Sequence, residues 1–147
     1  MEIITKSPTE TQILGKKIGT LLKGGEIIAL KGELGAGKTT FVQGLADGMG
    51  LTDRVISPTF LLMRKYPGKM PLYHMDLYRI DTNVDTELLN LGVLDLWGQE
   101  TNVFVIEWAE KISKLPDRAI TIEISGSEEN RSFNFANTPS YITENII

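Results

Sequence analysis

The sequence predicts an α/β fold with a mixed central sheet, on three observations. A short apolar run at residues 26–31 leads into a glycine-rich loop and then, at residues 39–49, into helical spacing through Phe41, Val42, Leu45, Ala46 and Met49. A second run, Val103-Phe104-Val105-Ile106, is continuously apolar, as a strand buried on both faces must be. Strict alternation at Ile120, Ile122 and Ile124, then at Phe133 and Phe135, marks a closing pair of strands around Gly126.

The remaining elements follow from local signals. Residues 9–22 carry Ile13, Leu14, Ile18, Leu21 and Leu22 at helical spacing, with Ser7 or Thr9 to cap the start and Gly24-Gly25 to stop the helix. Residues 60–66 and 71–79 read as strands joined by a Pro67-Gly68-Lys69 turn, so an antiparallel pair is expected. Residues 85–91 form a helix ended by Gly92. Gly44 and Gly48, inside the second helix, are explained by close packing.

Composition bounds the function. A chain of 147 residues suits one domain, and 41% apolar with 23% charged residues is ordinary globular usage. With no cysteine there is no disulfide framework, thiolate metal site or cysteine nucleophile. The first residues lack a basic then apolar leader, and no run approaches the ~20 apolar residues that span a bilayer, so the expected location is cytoplasmic. Net charge is −4 and the fifteen Lys and Arg residues are scattered, which argues against unaided nucleic-acid binding.

Residues 32–39, Gly32-Glu33-Leu34-Gly35-Ala36-Gly37-Lys38-Thr39, match the phosphate-binding pattern G-x-x-x-x-G-K-[ST] in full. Glycines let successive N–H groups turn inward around a triphosphate. Lys38 brings a mobile positive charge to the outer phosphates, Thr39 offers a hydroxyl to Mg²⁺, and the helix start aims its positive end at the anion. The domain is therefore expected to be a three-layer P-loop NTPase-like one.

Such a site also needs a carboxylate at the end of a buried strand. Two strands offer one. Glu107 follows the run 103–106 and is assigned to the metal; Asp76 follows Tyr73-His74-Met75 and is assigned to catalysis or water positioning, against a structural ion pair with Arg79. Period-2 alternation puts His74, Asp76 and Tyr78 on one face. His74, the single histidine, fits a structural hydrogen bond better than acid–base work. Trp108 either covers the nucleotide or caps the core, and Trp97 has no motif around it. In Ser57-Pro58-Thr59-Phe60, Thr59 is a second candidate to reach the metal.

Four segments together, 32–41, Ser57-Pro58-Thr59-Phe60, Tyr73-His74-Met75-Asp76-Leu77-Tyr78-Arg79 and Val105-Ile106-Glu107-Trp108-Ala109-Glu110, resemble the TsaE family, the ATPase of bacterial threonylcarbamoyladenosine tRNA modification. The resemblance spans about residues 9–115, and the His-x-Asp-x-Tyr-Arg and Glu-Trp elements are more specific than the phosphate loop. It implies a protein that binds ATP and Mg²⁺, hydrolyses ATP slowly alone, and acts with TsaB and TsaD, touching tRNA only through that complex. It implies Glu33, Leu34, Gly35, Ala36, Gly37, Lys38, Thr39 and Thr40 on the phosphates, Trp108 near the nucleotide, Thr39 and Glu107 on magnesium, and Asp76 and Lys38 in catalysis. Ala109 stands where the family commonly has proline.

Two other functions share the loop. A small-molecule or nucleotide kinase would need an arginine-rich lid, and the five arginines are dispersed with no two close in sequence. A regulatory GTPase would need a guanine-reading Asn-Lys-x-Asp or similar tetrapeptide, and there is none.

Overall fold

A computed structural model of the chain describes residues 1–32, 37–55, 63–80, 83–97 and 99–146. The loop residues Glu33, Leu34, Gly35 and Ala36, and the segment containing Ser57 and Thr59, lie outside the described residues.

Seven strands form one mixed sheet: β1 (Glu2–Thr5), β2 (Ile27–Gly32), β3 (Met63–Tyr66), β4 (Leu72–Asp76), β5 (Val103–Glu107), β6 (Ile120–Ser127) and β7 (Asn130–Ala136), in the order β1-β7-β6-β2-β5-β4-β3. The pairs β2–β5, β2–β6 and β4–β5 are parallel, so Gly32, Asp76, Glu107 and Ser127 end their strands at one edge of the sheet. The outer pairs β1–β7, β6–β7 and β3–β4 are antiparallel, the last as the proline-glycine turn predicts.

Helices α1 (Pro8–Leu21) and α2 (Lys38–Gly48) cover one face, and α3 (Val84–Asn90) and α4 (Val93–Trp97) the other. Alternation along each strand sorts the core into two layers. Ile28, Leu30, Val103 and Val105 join Leu14, Ile18, Phe41 and Leu45 of the first helices. Ile27, Ala29, Phe104 and Ile106 join Leu88, Val93 and Trp97 on the far side, where Trp97 meets Phe104 edge-on. A fifth short helix, α5 (Ser140–Thr143), brings Tyr141 to donate to buried Glu26 at 2.6 Å.

Helix α1 starts on Ser7, whose Oγ accepts from Glu10 N–H, while the Glu10 carboxylate accepts back from Lys6 N–H. It runs against α2 through four glycines. A Cβ on Gly15 would stand 2.9 Å from Leu45 N, and one on Gly44 would stand 2.9 Å from both Cα and the carbonyl carbon of Gln12; Gly19 and Gly48 are as tightly placed. Close packing is thus the role of Gly44 and Gly48, as the sequence suggests.

Four elements differ from the sequence reading. β1 was not expected, because Ile3 and Ile4 are adjacent rather than alternating, and the strand exists only by pairing with β7. α4 and α5, at five and four residues, are too short to show a helical period. The strand expected at 71–79 ends at Asp76, where the Asp76 carboxylate accepts from Tyr78 N–H at 3.0 Å and turns the chain. Tyr78 therefore leaves the strand face and is exposed.

Candidate functional site

The site is built at the shared strand edge where β2 hands the chain to α2. Gly37 precedes α2 with φ of 87°, a left-handed turn natural to glycine. Among the described residues no side chain caps α2, and the first-turn amides and the dipole of such a helix start favour an anion. Thr39 and Thr40 sit half-buried on this turn.

Lys38 is the centre of the arrangement. Although it opens the helix, it is only 4% exposed. Its ammonium donates to the Gly32 carbonyl at 2.7 Å and lies 3.6 Å from the centre of the Trp108 ring. Burial lowers its pKa below the ordinary value, opposed in decreasing order by the charges of Glu107, Glu110 and Asp76. Lys38 thus sits in the field of three carboxylates, which favours its charged form against the cost of burial.

Register explains how two of those carboxylates meet. β4 and β5 are parallel neighbours, and Asp76 stands directly opposite Glu107. Both share the face of Leu72 and Val105, the face on which α2 lies. Glu107 is buried, and its Oε2 accepts from Nε2 of His74 at 2.5 Å. His74 is itself fully buried, with Nδ1 lacking a partner among the described residues. The structural hydrogen bond anticipated for His74 is therefore one that fixes Glu107.

Trp108 follows in the left-handed region at φ of 60°, a conformation that costs a non-glycine residue about 1 kcal/mol or more. That turn swings its indole over Lys38, and Tyr78 packs against the indole in a tilted arrangement at 5.2 Å between ring centres. The 3₁₀ turn Ala109–Lys111 then returns to β2, where the Glu110 carboxylate accepts from Gly32 N–H at 3.4 Å. Lys111 anchors the same corner by donating to the carbonyls of Tyr78 and Ile80.

Of the described candidates, Gly37, Lys38, Thr39, Thr40, Asp76, Glu107 and Trp108 converge on this edge. Glu110 was missed as a member. Its signal was its spacing of three from Glu107, which one helical turn closes into a single neighbourhood. Thr11 of α1 is buried, its hydroxyl hydrogen-bonded to that of Thr5 at 2.7 Å. Among the described residues no helix is long and apolar enough to cross a membrane.

The oxygen donors at this edge fit a hard cation such as Mg²⁺: the Thr39 hydroxyl and the Glu107 carboxylate, with Asp76 beside it. Among the described residues there is no cluster of three acidic or histidine ligands able to hold a metal alone. A metal here would draw its remaining ligands from phosphate and water.

Comparison with known proteins agrees with this architecture. The family model described as "Threonylcarbamoyl adenosine biosynthesis protein TsaE" matches residues 5–133. A tRNA threonylcarbamoyladenosine biosynthesis protein TsaE from Treponema pallidum (strain Nichols) is 40% identical over 129 residues, covering 84% of this chain and 90% of the relative. Its counterpart in Bacillus subtilis (strain 168) is 39% identical over 134 residues, covering 89% and 82%. A crystal structure of Bacillus subtilis YdiB superposes with a TM-score of 0.71 at 33% identity, covering 99% of this chain and 93% of that one. The family model spans most of the chain and the fold matches over nearly all of it, so this protein belongs to the TsaE family of tRNA threonylcarbamoyladenosine biosynthesis proteins.

Proposed function

We propose that the chain binds ATP with Mg²⁺ at the β2–α2 edge, hydrolyses it, and acts with TsaB and TsaD in forming threonylcarbamoyladenosine on tRNA. The observation that carries the reading is Lys38, held buried at the uncapped start of α2 among Glu107, Glu110 and Asp76. A lysine so placed exchanges its Gly32 carbonyl for phosphate oxygens without moving far.

In this reading the phosphates lie on the loop that includes Glu33, Leu34, Gly35, Ala36 and Gly37, and on the first amides of α2. Water attacks the γ-phosphorus in line; the new P–O bond forms as the bond to the bridging oxygen breaks, giving ADP, phosphate and a proton. Asp76 orients the water and Lys38 offsets charge spreading over the phosphoryl oxygens. Mg²⁺, held by Thr39 and Glu107, would supply further neutralisation of phosphate charge. His74 keeps Glu107 in one rotamer for that purpose. Trp108 packs beside the nucleotide.

Reconstitution of the modification with TsaB, TsaD, tRNA, ATP and Mg²⁺ tests the proposal. Full modification requires this chain, and Lys38→Ala lowers both ATP hydrolysis and modification by about 10²-fold or more. Modification that proceeds equally without the chain, or with Lys38→Ala, refutes it. Transfer of the γ-phosphate to a small acceptor instead of water would favour the kinase reading.

A further inference from the structure

The phosphate-loop reading leaves one buried cation without a role. Arg131 is the second residue of β7, opposite Gly126 of β6 and Thr5 of β1. Alternation along β7 sends its side chain to the same face as Phe133 and Phe135, toward α2, and it is only 4% exposed. Phe133 meets Phe41 of α2 at 5.6 Å between ring centres, which seats this end of β7 beneath the helix start. The guanidinium reaches Gly37 itself: a Cβ there would lie 2.6 Å from Arg131 Cζ and closer to Nη1. Gly37 is thus required twice, for its left-handed φ and for the space the guanidinium fills.

We infer that Arg131 is a positioning residue of the phosphate site: its guanidinium packs against the Gly37 turn and adds a second fixed positive charge beside the start of α2. The inference rests on the nucleotide reading above. Little of Arg131 is exposed, so it acts through the backbone of Gly37 and the helix start, and Lys38 and Thr39 are the groups it places.

Binding of ATP, ADP and adenosine to wild type, Arg131→Met and Arg131→Lys tests this, alongside thermal melting and kinetics of hydrolysis. Arg131→Met is expected to weaken ADP and ATP by about tenfold or more, leave adenosine within twofold, and raise KM more than it lowers kcat. Arg131→Lys keeps a charge but not the planar fork, and should recover part of the ADP affinity. ADP binding within twofold of wild type in both variants overturns the inference. So does an equal loss for adenosine and ADP, or an Arg131→Met that unfolds while Arg131→Lys binds ADP as wild type does, since each marks a purely structural residue. If wild type binds no nucleotide at all, the nucleotide reading fails and this inference with it; if wild type binds and the Arg131 variants match it, only the role of Arg131 fails.

Discussion

Gly44→Ala sets two effects of known sign against each other. Alanine favours a helix interior over glycine by about 1 kcal/mol, so on propensity alone the variant would be more stable. Against that, the new methyl would stand 2.9 Å from Cα and the carbonyl carbon of Gln12. Ordinary van der Waals contact begins at 3.4 Å, so α1 and α2 must part by half an ångström at those atoms and further at the Gln12 oxygen. The obstacle is backbone, with no side chain able to rotate away, which places the cost near the upper part of the ~1–3 kcal/mol typical of overpacking. The net expectation is a loss of about 1–2 kcal/mol. With a urea slope of about 2 kcal/mol/M, the unfolding midpoint should fall by about 0.5–1 M. Because α2 carries Lys38 and Thr39 on its first turn, ATP hydrolysis should also fall, by about tenfold. A midpoint at or above that of wild type would show that propensity wins and that the glycine contact between the helices is looser than described.

Further outcomes follow from the same geometry. Asp76→Asn should lower kcat for ATP by about 10²–10⁴-fold while nucleotide affinity stays within a few-fold; equal turnover removes Asp76 from the chemistry. Glu107→Ala should retain nucleotide binding, lose its dependence on Mg²⁺, and lose about 1–3 kcal/mol of stability because His74 keeps no partner in the core, as magnesium titrations and urea melts would read. Lys38 has a folded pKa below its ordinary 10.5, so between the two values the unfolded chain holds more proton and stability rises with pH; below the folded value the penalty is fully present. Lys38→Met should flatten that rise in denaturation curves taken from pH 8 to 10.5, and an unchanged slope would assign it to another group.

What the sequence disclosed, and what it withheld, follows from the range of the interactions involved. β2, α2 and β5 were legible because their patterns are local: an apolar run, a glycine loop, a helical period. The antiparallel β3–β4 pair was legible from its turn. β1 was hidden because its partner lies some 130 residues away, and its own four residues carry no period. The individual site residues were visible as motif members that face one site, yet the register that pairs them was not. Asp76 faces Glu107 only through parallel register, and His74 reaches Glu107 only across that pairing. Tyr78 was misplaced because the Asp76 side chain bonds its amide and ends the strand, a competition that alternation cannot express. Arg131 was overlooked as one arginine among five; its signal was a charge in phase with Phe133 and Phe135, on a face that should have been wholly apolar.

The contact between Gly37 and Arg131 also orders events in time. Synthesis runs from the N-terminal to the C-terminal side, so residues 32–39 emerge well before β7, whose Arg131 packs against Gly37. At about 5–20 residues per second, some 5–20 s separate the synthesis of the two. During that interval β2 and α2 can form and pack with α1, but β7 and its arginine are missing, and β1 has no strand to join. On the proposed function, competence to hold a nucleotide is therefore among the last properties the nascent protein acquires, and a chain halted before residue 131 would carry the full phosphate-loop motif without the arginine that packs on its turn.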